Sequence, residues 1–332
     1  MTRATIYDIA KEAGVSPSTV SRALQDHPRI GVKTRARIQA LAKSMGYVPS
    51  AVAKSLTTNK TWTIGIIITT VADPVLADIV DGIEAVAQEA GYSIFLSYSH
   101  NNPERELKVI EIFQRRRVDA IINIASLLGR THKAALEELT IPIVLVENQG
   151  YRDYYHQIST DSFGGAKMAV EHLIGLDHQR IGFVGANDRP FSSNERLAGY
   201  KKALEQANIP LMPELITIPE ANNDYERGQI GLANILAAQP TAVFCYNDRT
   251  AIGVMKECER QNIAIPQQLS IVGFDDIMAV SFLRPSLTTI RQPRVQMGKF
   301  AMQMILDLLD GQMPSPCILP VELVVRQTTT HL

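Results

Sequence analysis

Residues 5–24, TIYDIAKEAGVSPSTVSRAL, constrain this chain more than any other segment, because they prescribe two short helices and the turn between them. Thr5 and Asp8 form a capping-box-like start. Ile6, Ile9, Ala10 and Ala13 recur at helical spacing and define one buried face. Gly14 suits the left-handed residue that ends a helix. Ser16 caps a second helix, and Pro17 occupies the first helical position, where its missing N–H costs nothing. Val20, Ala23 and Leu24 form the inner stripe of that helix. Ser16, Ser18, Thr19, Ser21 and Arg22 are left outside. Small hydroxyls allow close approach to base edges and phosphates, and an arginine fork fits a guanine. An ordinary surface hairpin of helices would show many of the same residue types. The rest of the N-terminal segment separates the two readings.

The chain has 332 residues and a formal net charge of −1, an average that conceals an asymmetry. Residues 1–60 hold ten Lys and Arg against three Asp and Glu, whereas the remainder holds 23 against 31. A small basic module joined to a larger acidic body is the pattern of a DNA reader with a separate regulatory part. The apolar content of 45% supports sizeable cores. Runs such as 64–68 are too short to span a bilayer. The first residues read as a polar, capped helix rather than an export signal. The three cysteines, Cys245, Cys258 and Cys317, lack metal or redox spacing and read as reduced, mostly buried thiols. These features place the protein in the cytoplasm, in association with the nucleoid.

A third helix fits about 33–44, with Ile38, Leu41, Ala42 and Met45 inward. A short helix-permissive stretch follows at 50–56, then a polar link at 57–61. A helix this short is marginal alone in water and needs contacts from DNA and a second subunit. From Trp62 the rhythm changes. Strand candidates fall near 63–69, 93–98, 118–124, 142–146, 180–185, 214–218, 241–245, 269–274 and 318–325. Helix candidates lie near 75–90, 103–116, 131–139, 162–176, 194–208, 224–238, 248–262 and 294–310. This alternation implies parallel sheets with helices on both faces. The pattern restarts near 162, so two similar α/β lobes are expected.

With these motifs in hand, the sequence resembles the lactose/galactose repressor (LacI/GalR) family of bacterial transcription regulators over essentially its whole length. The strongest matches are residues 5–22, KTR at 33–35 and GYVPSAVAKSL at 46–56. Others are ERLAGY at 195–200, YNDRTAIG at 246–253, SIVGFDD at 270–276 and LTTI at 287–290. The resemblance implies an α/β protein with an all-α helix-turn-helix headpiece at 1–48 and a hinge helix and linker at 49–61. The core at 62–332 would be two-lobed and periplasmic-binding-protein-like, built from two parallel doubly wound sheets. Its N-lobe would take 62–161 and 291–320, its C-lobe 162–290 and 321–332. The family binds near-palindromic operators as homodimers and holds a small effector between the lobes.

On the DNA side the resemblance assigns base reading to Pro17, Ser18 and Arg22. It assigns phosphate contacts and register to Tyr7, Ser16, Thr19, Ser21, Arg29, Thr34 and Tyr47. Leu56 corresponds to a minor-groove wedge, and Ala53 would lie in the same groove. Gln25 and Gly31 depart from the usual Asn and Ser. On the effector side Arg196, Asp275 and Asn247 match family positions, and Asp73 and Glu147 follow strand ends that face the cleft. Asp248 either faces the ligand or caps the following helix. Asp276 either faces the ligand or anchors a loop. Arginine, carboxylates and Asn together suit a polyhydroxylated ligand, whose hydroxyls donate and accept. The segments 73–76 and 222–224 lack the aromatic residues often found there, and Phe191 is a candidate replacement or a core residue.

Catalysis has little support. The seven His are scattered, no metal-ligand spacing appears, and nucleophile-elbow and P-loop motifs are absent. No cofactor and no metal is expected. A plain solute-binding receptor is the alternative that the body alone would suit, but that class needs export and has no use for a basic headpiece. The sequence therefore reads as an effector-responsive repressor acting on operator DNA as a homodimer.

Overall fold

The computed structural model describes residues 4–47, 60–132, 134, 136, 138–150 and 154–332. The chain divides into two compact units, Met1–Thr61 and Trp62–Leu332. Ala53 and Leu56 lie outside the described residues, as does most of the 49–61 segment.

The first unit holds three helices, α1 (Ile6–Ala13), α2 (Pro17–Leu24) and α3 (Val32–Ser44). Thr5 and Asp8 cap α1 reciprocally, and Gly14 closes it at φ 67°. Ser16 accepts from the Thr19 N–H, and Pro17 opens α2. Gly31 caps α3 without a side-chain bond. Ile9, Val20, Ala23 and Ile38 are fully buried at the centre. Arg37 donates to the Ala13 carbonyl at 2.9 Å, and Arg35 donates to the Ile30 carbonyl at 3.1 Å, so α3 ties down both turns.

The second unit contains two six-stranded sheets. In chain order the strands are β1 (Thr63–Ile68), β2 (Ser93–Tyr98), β3 (Ala120–Ile124), β4 (Ile143–Val146), β5 (Gln157–Thr160) and β6 (Ile181–Val184). They continue with β7 (Ile216–Thr217), β8 (Ala242–Cys245), β9 (Ser270–Asp275), β10 (Thr288–Arg291), β11 (Cys317–Leu319) and β12 (Glu322–Val324). The first sheet runs β11-β5-β4-β3-β1-β2 and the second β12-β10-β9-β8-β6-β7. Every pairing is parallel except β10 with β12.

Helices cover both faces of each sheet, as parallel strands buried on two sides require. In the second sheet, Phe183, Phe244 and Phe274 point to the helices Ser162–Ile174 and Pro190–Gln206. Val184, Val243 and Ile271, out of phase by one residue, point to Asp224–Ile235 and Asp248–Gln261. The first sheet repeats this with Ile64, Ile66 and Ile68 against Pro74–Glu89 and Arg294–Leu309. Its other face packs on Pro103–Arg115. Among the described residues no helix is long and apolar enough to cross a membrane, and no cluster of three potential metal ligands occurs.

The chain passes from one sheet to the other three times: between β5 and the helix Ser162–Ile174, between β10 and the helix Arg294–Leu309, and between β11 and β12. The strand pattern differs from expectation at each crossing. β5 and β10 escape a hydropathy reading because Thr160, Thr288 and Thr289 are buried with their hydroxyls bonded. The run expected at 318–325 is two strands in two sheets, split at Pro320 and Val321. The helix expected from 194 starts at Pro190. The segment expected to be helical at 131–139 opens on a 3-10 turn, Arg130–His132, and residues 134 and 136 are helical.

Candidate functional site

Two surfaces collect the chemistry. On the first unit, Ser16, Ser18 and Arg22 are exposed, and Pro17, Thr19 and Ser21 are partly so. The Ser16 hydroxyl lies 2.8 Å from that of Ser18 and 2.9 Å from that of Thr19. This cluster sits at the amino end of α2, where unpaired N–H groups and the helix dipole favour phosphate. Arg22 makes no ion pair among the described residues. Tyr7 is 74% exposed on α1, Arg29 is exposed in the turn before α3, and Thr34 and Tyr47 are half-buried. Arg35, by contrast, is spent internally on the His27 and Ile30 carbonyls and on Asp26.

The second surface is a cavity between the two sheets, at the carboxyl ends of their strands. Asp73 follows β1, Ala125 follows β3, Glu147 follows β4, Asn247 follows β8, Asp275 ends β9 and Gln292 follows β10; all six line the cavity. Open parallel sheets bind ligands at such ends because short loops there bring side chains and free N–H groups together. Arg189, Arg196, Ser192, Gln149 and Tyr246, with the apolar Val75, Leu76 and Ile79, complete the wall. Five expected residues, Asp73, Glu147, Arg196, Asn247 and Asp275, thus converge. Phe191 is half-buried and is not among the lining side chains.

Arg196 is the centre of the C-terminal wall. Its guanidinium stacks 3.6 Å from the Phe274 ring centroid and 4.6 Å from that of Tyr246. It donates to the Tyr246 carbonyl and lies 3.8 Å from Asp275 Oδ1. Its Nε is buried with no hydrogen-bond partner, a donor that a bound acceptor would satisfy. Asp275 has φ 122°, and Glu147 and Ala125 have φ 49° and 56°. Non-glycine residues held there cost about 1–3 kcal/mol each and gather at ligand sites. Burial pushes the Asp275 carboxyl up to about 6, against the pull of Arg196 and with the push of Asp73. Gln292 Nε2 donates to Asp275 at 2.6 Å and shares Thr160 with Glu147, tying a crossing segment to both sheets.

Asn247, rather than Asp248, caps the helix Asp248–Gln261, accepting from the Thr250 N–H at 2.8 Å. Its Nδ2 donates to Asp224 at 2.9 Å. Asp248 lies behind the cavity, accepting from Thr289 and the Ile277 N–H. Burial, then the nearby Asp275, pushes its carboxyl well above the usual range. Asp276 anchors the strand ends through Arg291 at 2.7 Å and Arg326 at 2.6 Å. Sequence reasoning missed Arg189, Gln149, Ser192, Tyr246 and Gln292. Gln292 follows a strand that hydropathy hides, and Tyr246, directly after the strand expected at 241–245, was not singled out. Tyr246 is the aromatic residue of the cavity wall, and its hydroxyl lies 2.9 Å from Ser192 Oγ.

Residues 5–50 match the bacterial regulatory proteins of the lacI family, and residues 170–329 match the periplasmic binding protein-like domain. The chain is 32% identical over 335 residues to the HTH-type transcriptional repressor PurR of Actinobacillus pleuropneumoniae serotype 3 (strain JL03), covering 99% of each. It is 33% identical over 316 residues to the HTH-type transcriptional regulator GalR of Salmonella typhimurium (strain SL1344), covering 94% of this chain and 91% of that one. A Lac repressor dimer bound to operator and the anti-inducer ONPF superposes with a TM-score of 0.88 at 28% identity, over 99% of this chain and 100% of the other.

Proposed function

The chain belongs to the LacI family of bacterial regulatory proteins, and from that premise we propose how its two surfaces work together. It is a sequence-specific DNA-binding repressor that grips a near-palindromic operator as a homodimer in the cytoplasm, associated with the nucleoid. Residues 1–48 form the headpiece, 49–61 the hinge, and 62–332 the effector-binding core. Ser18 and Arg22 read bases. Tyr7, Ser16, Thr19, Ser21, Arg29, Thr34 and Tyr47 set register on the phosphates. Leu56 and Ala53 act in the minor groove. A small polyhydroxylated metabolite occupies the cavity against Arg196, Asp275, Asn247, Glu147 and Asp73.

One observation carries this reading: ionisable and amide groups from both sheets converge on one buried cavity, in a chain that also presents an exposed arginine on a capped turn-linked helix. A ligand bridging two lobes changes their relation, and the changed relation alters operator affinity through 49–61. A coupling of about 1–3 kcal/mol corresponds to a 5–150-fold change. The test is fluorescence anisotropy of the full chain on duplexes from its own promoter regions, with sugars, sugar phosphates and nucleosides added in turn. Preference for one duplex over random DNA, shifted by one compound class, is expected. Equal affinity for all duplexes would overturn the DNA assignment. A preferred site indifferent to a compound that raises the melting temperature would overturn the coupling.

A further inference from the structure

The cavity is small: its volume is ≈ 50 Å³, whereas pockets for small metabolites run to about 300–1,000 Å³. Asp73 and Arg189, which line it, belong to an ion-pair cluster that crosses between the lobes. Asp73, after β1 in one lobe, is 5% exposed. Its Oδ2 accepts from Arg249 Nη2 at 3.1 Å and from Arg189 Nη2 at 3.4 Å, both from the other lobe. Arg249 also pairs with Asp224 at 2.6 Å, and Asp224 is held in turn by Asn247 and Arg227.

The two arginines differ in how well they are held. Arg249 has a short bond to its own lobe. Among the described residues, Asp73 is the one carboxylate that pairs with Arg189, and the other Arg189 side-chain bond, to Thr69 Oγ1, is also 3.4 Å. Charge-assisted bonds to a well-placed acceptor are about 2.7–2.9 Å. Arg189 is therefore half-buried, charged and loosely bonded, and every side-chain bond it makes goes to the opposite lobe.

We propose that Asp73 is a clasp that holds the cleft shut in the absence of effector, standing in for ligand oxygens on Arg189 and Arg249. Effector binding is then an exchange. A ligand with clustered oxygen acceptors, hydroxyl or oxyanion, takes over the two guanidinium groups and releases Asp73. Arg189 and Arg249 become recognition residues in addition to Arg196. This inference rests on the cleft being the effector site.

Asp73 also caps the helix Pro74–Glu89, accepting from the Val75 N–H at 3.1 Å. Asp73→Asn keeps that acceptor, since Asn caps as well as Asp, and removes the ion pairs. Arg249→Gln breaks the clasp from the other lobe and leaves the cap untouched. Hydrogen–deuterium exchange of the full chain, with no compound added, is read on peptides covering 69–76 and 186–192. Both variants should exchange about tenfold faster than wild type on both peptides, as expected when a local opening is eased. Unchanged exchange in Asp73→Asn, or acceleration in Asp73→Asn alone and only at 69–76, would overturn the clasp. Operator titrations run in parallel separate the two claims. Faster exchange in both variants upholds the clasp even if no compound alters DNA binding, which would sink the effector reading instead. Unchanged exchange with intact ligand response sinks the clasp alone.

Discussion

Asp275 Oδ1 lies 3.8 Å from Arg196 Nη2, and their side chains are 9% and 5% exposed. The pair joins the end of a central strand to the helix Pro190–Gln206 within one lobe, while Gln292 binds the same carboxylate from the segment that leaves for the other lobe. Burial outweighs the pull of Arg196, Arg294 and Gln292 on this carboxylate, and Asp73 adds to it, so burial governs its titration.

The first consequence is a pH dependence of stability. The Asp275 carboxyl is raised from 3.8 to about 6 in the folded chain. The favourable contribution of its protonated form is complete below the unfolded value and is lost as pH rises through about 6. Relative to Asp275→Asn, wild type should lose roughly 3 kcal/mol across that window, from about 1.4 kcal/mol per pKa unit. Urea denaturation of both proteins at intervals across the window checks this, and parallel curves would contradict it.

Arg196→Lys should behave as a damaging change. Lysine has no planar fork and cannot stack on Phe274 and Tyr246 as the guanidinium does. Loss of a desolvated cation–π contact costs about 2 kcal/mol. Thermal unfolding without ligand should show that loss, and the operator complex should cease to answer to effector.

Arg22→Ala should separate specific from non-specific binding. A bidentate arginine–guanine contact is worth about 1–3 kcal/mol of discrimination. The preference for operator over random duplex should fall by that amount, whereas salt-dependent binding to random duplex should weaken only slightly. Anisotropy titrations at several salt concentrations measure both.

Gly228→Ala should destabilise the C-terminal lobe. A Cβ at Gly228 would strike the Thr250 carbonyl oxygen, and one at Gly253 would strike the Tyr225 carbonyl oxygen, so the two helices touch backbone to backbone. Neither backbone yields cheaply. Overpacking of this kind costs about 1–3 kcal/mol, and denaturant midpoints report it directly.

Ser16→Ala removes the acceptor for the Thr19 N–H at the start of α2. Loss of such a cap costs about 1 kcal/mol. The first unit should melt earlier, as followed by helical circular dichroism, while Ser16→Asp should retain the cap.

The first unit was almost entirely legible, because its signals are local. Thr5, Asp8, Gly14, Ser16 and Pro17 act within four residues of themselves, and the observed caps follow from them. The alternation of strands and helices was legible for the same reason, since one apolar period reports one burial pattern. The crossings were harder to read. Thr160, Thr288 and Thr289 look like surface residues until partners far along the chain, Gln292, Thr329 and Asp248, bury their hydroxyls. The cleft was half legible: Asp73, Glu147, Arg196, Asn247 and Asp275 could be named, yet which groups bind one another could not. That Asp73 pairs with Arg189 and Arg249, 116 and 176 residues away, depends on how two separately folded sheets face each other. Short-range patterning fixes elements; only closure of the chain on itself sets distances between charges that are remote in sequence, and those distances determine what the cavity recognises.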